Sequence, residues 1–282
     1  MMLLREFIQD ASAALGRLYP FEEARSMVLS LVTDRLGIPP YTCLTEPDMR
    51  IEARLAEALE KDMERLLRAE PLQYVLGYSE FHGRRFHVTE ATLIPRPETE
   101  MLCREALRFM EGRPRSRVLD LCTGSGCIAW TIAQENPSSE VFATDISEAA
   151  LEVAANQGFP GNAPLFSRSD LLSEELPFPG EFDLIVSNPP YIAESEKESM
   201  RENVLGYEPS IALFVPDSDP LVFYRAVASV ASRRLAPGGL GIVEINERFP
   251  RETADVFRSA LFQEVGTESD YFGKPRFVTF SK

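Results

Sequence analysis

Residues Phe182 to Tyr191 read Phe-Asp-Leu-Ile-Val-Ser-Asn-Pro-Pro-Tyr, an apolar run that ends at Ser187 and passes straight into Asn188, Pro189, Pro190 and Tyr191. Proline has no amide hydrogen, so this turn is rich in carbonyl acceptors and poor in donors. Such a turn suits a substrate that presents an NH2 group. In a carboxamide or an exocyclic amine the nitrogen lone pair is delocalised into the neighbouring π system, and the nitrogen attacks a methyl group poorly. Two acceptors would change that. The Asn188 side-chain oxygen and the Pro189 carbonyl would each take one N–H, holding the nitrogen so that it can pyramidalise with its lone pair aimed at an electrophile. Tyr191 would lie against the planar group and exclude water. A sulfonium methyl is already strongly electrophilic, so an in-line displacement needs no general base of shifted pKa. The four residues alone do not separate glutamine from adenine.

A second cluster lies upstream. Val118 to Ala129 places Gly124 and Gly126 directly after a strand pattern and before a helix pattern, with Ala129 as a third small residue. Glycine lets the backbone turn sharply and approach a ligand closely. Asp145 closes the next strand pattern, 21 positions beyond Gly124, where a carboxylate can accept from ribose hydroxyls. Strand, turn, helix, strand and acid in register imply an adenosine-containing cofactor. The pattern fits a dinucleotide and S-adenosylmethionine alike, and the Asn188 to Tyr191 turn tips it toward the latter.

These residues need a scaffold, and from Arg117 onward short apolar strands alternate with amphipathic helices. Strands are expected over 118–122, 141–144, 165–167, 183–187, 240–245 and 277–280, with helices over 128–135, 148–156, 220–235 and 251–261. The alternation implies a doubly wound, mostly parallel sheet with ligands beyond the strands' carboxyl ends. Before it, Leu4, Phe7, Ile8, Ala11 and Leu15 recur at helical spacing. A second helix runs from Phe21 to Leu36 and stops at Gly37. A third begins near Thr45 and Pro47 and carries Ile51, Leu55, Leu59, Met63 and Leu66 toward Pro71. Tyr78 to Val88 alternates around Gly83 as a β-hairpin would. The reading is therefore a helical domain over 1–75 that helps grip a substrate, a hairpin connector over 76–95 and a catalytic domain over 96–282.

The chain has 282 residues, 44 acidic against 29 Lys and Arg, and a formal net charge of -15, which opposes loose binding to phosphate backbones. A nucleic-acid coat protein is excluded as an expectation. The sequence has no apolar run of spanning length, and Arg5 and Glu6 stand where a signal peptide is apolar, so a cytoplasmic protein without a membrane partner is expected. Four cysteines without a CxxC pair and two histidines, His82 and His87, are too sparse for a zinc site. Both histidines are read as structural, and no metal is expected.

Over nearly its whole length the chain resembles the protein-(glutamine-N5) methyltransferases of peptide chain release factors, often called the HemK or PrmC family. The resemblance runs through Pro71 to Gly77, Phe81 to Gly83, Leu93 to Glu100, Asp120 to Gly126, Ser187 to Ile192, Glu208-Pro209, Leu235 to Gly239 and Asp270 to Arg276. Ile94-Pro95-Arg96-Pro97-Glu98-Thr99-Glu100 is its most specific element, because adenine methyltransferases share the Asn-Pro-Pro-Tyr turn without it. The resemblance implies a class I S-adenosylmethionine-dependent methyltransferase domain, Rossmann-like, behind an amino-terminal helical bundle. It implies methyl transfer to the glutamine of a Gly-Gly-Gln loop in class I release factors, with S-adenosylhomocysteine as product. Cofactor contacts would fall on Cys122, Thr123, Gly124, Ser125, Gly126, Asp145, Asp170, Leu171 and Asn188, and substrate contacts on Asn188, Pro189, Pro190, Tyr191 and Arg96. Asn188, Pro189 and Tyr191 are the expected catalytic residues. Arg96 is read as lining the entrance of the cleft, with Arg96→Ala lowering activity without unfolding. Two departures stand out: Cys122 and Asn246 occupy positions where the family commonly has glycine. Cys122 would be tolerated at negative φ. Other readings stay open on the residues alone: a glutamine methyltransferase of a ribosomal protein, an N6-adenine methyltransferase, an NAD-dependent oxidoreductase and a noncatalytic binding module.

Overall fold

Heptad-like spacing in the first residues becomes α1 (Leu4–Leu15), followed by α2 (Phe21–Leu36) and α3 (Ala53–Leu66). The computed structural model describes residues 2–173 and 175–282, and it divides into two units, Met1–Tyr78 with Arg201–Tyr207 and Ser79–Met200 with Glu208–Lys282. In the first unit Leu4, Phe7, Leu15, Val28, Leu31, Leu59 and Leu66 form a closed apolar core. Gly37 ends α2 in the left-handed region at φ +63°, where a side chain would be strained. The segment 201–207 belongs to this unit: Arg201 pairs with Glu23 at 2.6 Å, and the Tyr207 hydroxyl donates to the Arg68 carbonyl at 2.8 Å. The pattern read as one helix from Thr45 is broken. Arg50–Ile51 is an extended pair bonded antiparallel to Met2–Leu3, so Ile51 reaches the core from a strand, and the helix starts only at Ala53.

The second unit is built on alternation. Its sheet comprises β1 (Arg117–Leu121), β2 (Glu140–Asp145), β3 (Leu165–Arg168), β4 (Phe182–Ser187), β5 (Leu235–Glu244), β6 (Gln263–Ser269) and β7 (Pro275–Ser281). The order across the sheet is β6-β7-β5-β4-β1-β2-β3. All neighbours are parallel except β7, which runs antiparallel to both β5 and β6. Because successive side chains point to opposite faces, Val118, Leu184, Val186 and Ile242 pack on one side under α4 (Thr99–Met110) and α5 (Cys127–Glu135). Leu119, Ile185, Val243 and Phe280 pack on the other under α7 (Val222–Arg234) and α8 (Pro250–Ser259), while α6 (Glu148–Ala155) follows β2. The expected doubly wound, mostly parallel architecture is the one found. Its edge strand β6 was not expected: Gln-Glu-Val-Gly-Thr-Glu-Ser is mostly exposed, so it lacks the apolar alternation that marks a strand.

The hairpin, Tyr78–Phe81 paired with Arg84–His87, places Phe81 and Phe86 in the same core as Trp130 and Met110. Among the described residues no helix is long and apolar enough to cross a membrane, and no three His, Cys, Asp or Glu side chains cluster to hold a metal.

Gly241 shows how tightly the sheet is closed. It lies opposite Phe280 in the β5–β7 pair, and a Cβ at this position would sit 2.0 Å from that ring, which itself stacks on Phe257 with centroids 4.1 Å apart. Overpacking of this kind costs about 1–3 kcal/mol. Gly241→Ala is expected to lose at least that much stability in urea denaturation, with the slope of the transition unchanged.

Candidate active site

β1 and β4 are neighbours, but β1 leads to β2 on one side while β4 leads to β5 on the other. The crevice beyond their carboxyl ends is thus the switch point where open α/β sheets bind ligands. Leu121 stands opposite Ser187, and the Ser187 hydroxyl donates to the Leu121 carbonyl at 2.8 Å. The glycine turn and Asn188 consequently leave the sheet side by side. One cleft brings together Arg96, Cys122, Thr123, Gly124, Ser125, Asp145, Asp170, Leu171, Asn188 and Pro190, and adds Thr99 to them. Gly126, Pro189 and Tyr191 do not line it.

The two glycines do different work. Gly124, at φ +56°, faces open space on its Cβ side, so the backbone can meet a ligand there. Gly126, at φ +78°, has no such room: a Cβ would come within 3.0 Å of Ala154 and 3.1 Å of Trp130, so it serves the packing of α5. Cys122 does not keep the negative φ expected of it but sits at +59°, where an L-residue is held at a cost of about 1–2 kcal/mol. Burial, with Asp145 and Asp120 nearby, pushes its thiol well up, so the group is protonated and unreactive. Gln157 was not singled out in the sequence, and nothing in its immediate neighbours marks it. It accepts from the His87 amide at 2.8 Å and donates to the His87 carbonyl at 3.0 Å and the Ser125 carbonyl at 2.9 Å, tying the hairpin to the glycine turn.

Asp145 has the geometry of a diol acceptor. Its Oδ2 takes the Gly124 amide at 2.8 Å and its Oδ1 the Ser147 amide at 3.0 Å, which leaves each oxygen further lone pairs. Burial raises its pKa and these backbone donors oppose the rise. Asp170 is held low, first by the Ser173 hydroxyl and then by the Leu172 amide, and Leu171 beside it supplies apolar wall. An adenosyl group, with its diol and flat base, fits this donor and acceptor set.

Asn188 stands on the cleft wall, with Tyr191 and Asn246 behind it. The Asn188 Nδ2 lies 3.2 Å from the Thr99 hydroxyl. Tyr191 is half-buried with its hydroxyl donating to Glu244 at 3.1 Å, so its ring is set back in the apolar layer under α7 rather than on the cleft surface. Burial raises the Glu244 carboxyl, and the Thr99 and Tyr191 hydroxyls oppose that rise. Asn246 donates to the Tyr191 carbonyl and to Glu196, both at 3.0 Å, so here a side chain braces the turn.

Arg96 donates to Glu208 at 2.6 Å, and Glu208, buried, also takes the Ile94 amide at 3.1 Å. The Glu208-Pro209 pair of the family resemblance thus gains a structural role, holding Arg96 and the Ile94 amide. Glu100 accepts from the His82 amide at 2.9 Å, which makes it a brace for the hairpin turn.

The fold and this cleft define a doubly wound α/β protein with room for an adenosyl group at its switch point. A methyltransferase from Pyrococcus furiosus shares the fold at a TM-score of 0.51, with 16% identity over 79% of this chain and 98% of that one. Residues 101–205 match the family described as Methyltransferase small domain and residues 6–77 that described as PrmC N-terminal domain. The release factor glutamine methyltransferase of Bacteroides thetaiotaomicron is 38% identical over 99% of this chain and 98% of its own, and that of Flavobacterium psychrophilum 34% over 98% of each. The chain belongs to the release factor glutamine methyltransferase family.

Two expectations follow from the charges. Removing Arg96 would strand the buried Glu208 carboxylate, a loss of about 3–5 kcal/mol, so Arg96→Ala should be measurably less stable in chemical denaturation, contrary to the sequence expectation of intact stability. Asp120, fully buried beneath the glycine turn, accepts from the Thr123 hydroxyl at 2.6 Å and is pushed up to about 7 by burial. The folded state therefore holds this proton more tightly than the unfolded chain, whose Asp pKa is about 3.9. The resulting stabilisation is complete below about pH 4 and disappears as pH rises through about 7. Asp120→Asn should gain stability relative to the wild type between pH 5 and pH 8, by up to roughly 4 kcal/mol. Parallel urea curves with a constant difference would refute it.

Proposed function

We propose that this protein transfers a methyl group from S-adenosylmethionine to the side-chain amide nitrogen of the glutamine in the Gly-Gly-Gln loop of class I peptide chain release factors, releasing S-adenosylhomocysteine. The observation that carries the reading is the placement of Asn188 beside the glycine turn, on a cleft whose opposite side holds Asp145. The family membership of the chain supplies the substrate class.

When bound, S-adenosylmethionine supplies a methyl group on a sulfonium, which leaves with the sulfur taking the electron pair of the broken C–S bond. The chain's own residues bind and orient. Asp145 accepts from the ribose hydroxyls, Asp170 and Leu171 flank the adenine, and Cys122 to Gly126 give the backbone turn that accommodates the remainder. Asn188 Oδ1 and the Pro189 carbonyl accept the two amide hydrogens of the glutamine, so that the nitrogen presents its lone pair as the N–C bond forms and then gives up one proton to water. Tyr191 closes the apolar layer behind the turn, and Arg96 stands at the entrance for the loop that carries the glutamine. The helical unit provides surface for the rest of the protein substrate.

The experiment is transfer of labelled methyl from S-adenosylmethionine to a purified class I release factor, to the same factor with its Gly-Gly-Gln glutamine replaced, and to unmethylated DNA. Label on the intact factor alone is expected. Label on DNA, or on none of the three, rejects the assignment. Asn188→Ala should lower kcat by about 10²-fold or more while S-adenosylmethionine binding by calorimetry is largely retained, and substantial residual transfer would refute the two-acceptor account.

A further inference from the structure

A side-chain amide has two ends of nearly equal size and opposite function. Packing alone does not decide which end of Asn188 faces a substrate, yet the chemistry proposed above works with only one of them: an NH2 presented to an NH2 is donor against donor. The structure contains a device that decides. Thr99, in the first turn of α4 and 2% exposed, has its hydroxyl 2.7 Å from Glu244 Oε2 and 3.2 Å from Asn188 Nδ2. Glu244, at the end of β5 and also 2% exposed, has its other oxygen 3.1 Å from the Tyr191 hydroxyl.

A carboxylate only accepts, and a threonine hydroxyl has one proton to give. The Thr99 proton is committed to Glu244, so Thr99 can offer Asn188 only a lone pair. Asn188 must meet it with Nδ2, and Oδ1 is left to point the other way. We infer that Glu244, acting through Thr99, fixes the polarity of the Asn188 amide so that its oxygen, not its nitrogen, is presented to the reacting NH2 group. Glu244 and Thr99 are positioning residues; neither touches the reacting atoms. The same carboxyl group holds the Tyr191 hydroxyl, so one buried side chain orients both ends of the Asn188 to Tyr191 turn. The inference rests on the reading that Asn188 accepts from a substrate NH2.

The test has two independent readouts. In protein labelled with 15N at asparagine, the Asn188 side-chain NH2 should show a through-space contact to the Thr99 side chain, and Glu244→Gln, which can turn a donor toward Thr99, should abolish it. Absence of the contact in the wild type overturns the inference whatever the substrate proves to be. In methyl transfer to the release factor, Thr99→Val and Glu244→Gln are each expected to lower kcat about 10²-fold, with KM and S-adenosylmethionine affinity within about threefold. Thr99→Ser, which restores the hydroxyl, should recover most of what Thr99→Val loses. Full kcat in Thr99→Val overturns the inference. So does equal loss in Thr99→Ser and Thr99→Val, which would mark a packing role. A wild type that labels no glutamine overturns the functional reading and leaves the magnetic-resonance result to judge the polarity by itself. Circular dichroism on each variant separates a loss of kcat from a loss of fold, and the wild-type contact needs no variant at all.

Discussion

Leu121 and Ser187 face one another at the carboxyl ends of two parallel strands in the middle of the sheet, and the site depends on that register. A slip of one residue would turn every side chain of β4 to the opposite face, sending Leu184 and Val186 into the layer that Ile185 occupies and Ile185 into theirs. The register is held by the two apolar layers, which demand Leu184 and Val186 on one side and Ile185 on the other, and by the Ser187 hydroxyl on the Leu121 carbonyl. With it fixed, the glycine turn and Asn188 emerge next to each other without any direct contact having to bring them together.

Around that junction the protein uses fixed hydrogen bonds where a flexible loop would leave freedom. The Gly124 amide is committed to Asp145, the Ser125 carbonyl to Gln157, and the Tyr191 carbonyl to Asn246. Each anchor comes from a different element. A turn pinned from several sides loses little further freedom on binding, which is how positioning contributes to rate. The buried carboxylates belong to the same strategy. Asp120, Glu208 and Glu244 lie on the apolar side of the site and each takes a defined donor, Thr123, Arg96 and Thr99 respectively. Their value lies in direction more than in net stability, since desolvation offsets much of what a buried pair returns.

The family relationship and the geometry speak to different levels. A doubly wound sheet with a glycine turn is shared by enzymes of many chemistries, and similarity of fold at 16% identity says no more than fold. Relatives at 34% and 38% identity over almost the entire chain fix the family. The polar chain from Glu244 to Asn188 adds a level of its own: in the proposed reaction, an asparagine used as an acceptor has to be told which way to face.

Residue types and their spacing set the alternation that makes the sheet, the helix stop at Gly37, the glycine turn after β1, the acid at the end of β2 and the Asn188 turn after β4. All are local: each depends on residue types a few positions apart, on periodicity, or on backbone conformations that only certain residues adopt easily. Tertiary structure alone decided what is carried by contacts between residues distant along the chain. Ile51 left its helical pattern because Met2 and Leu3 offered it a strand partner, and polar β6 became an edge strand because β7 had unpaired backbone groups to satisfy. The positive φ of Cys122, the Gln157 brace and the Arg96–Glu208 pair were likewise invisible. The Glu244–Thr99–Asn188 chain spans 145 positions between its first two members, and nothing in the spacing of those residues announces it. Hydrogen-bond direction is set by which proton is already taken, and that is a property of the folded arrangement.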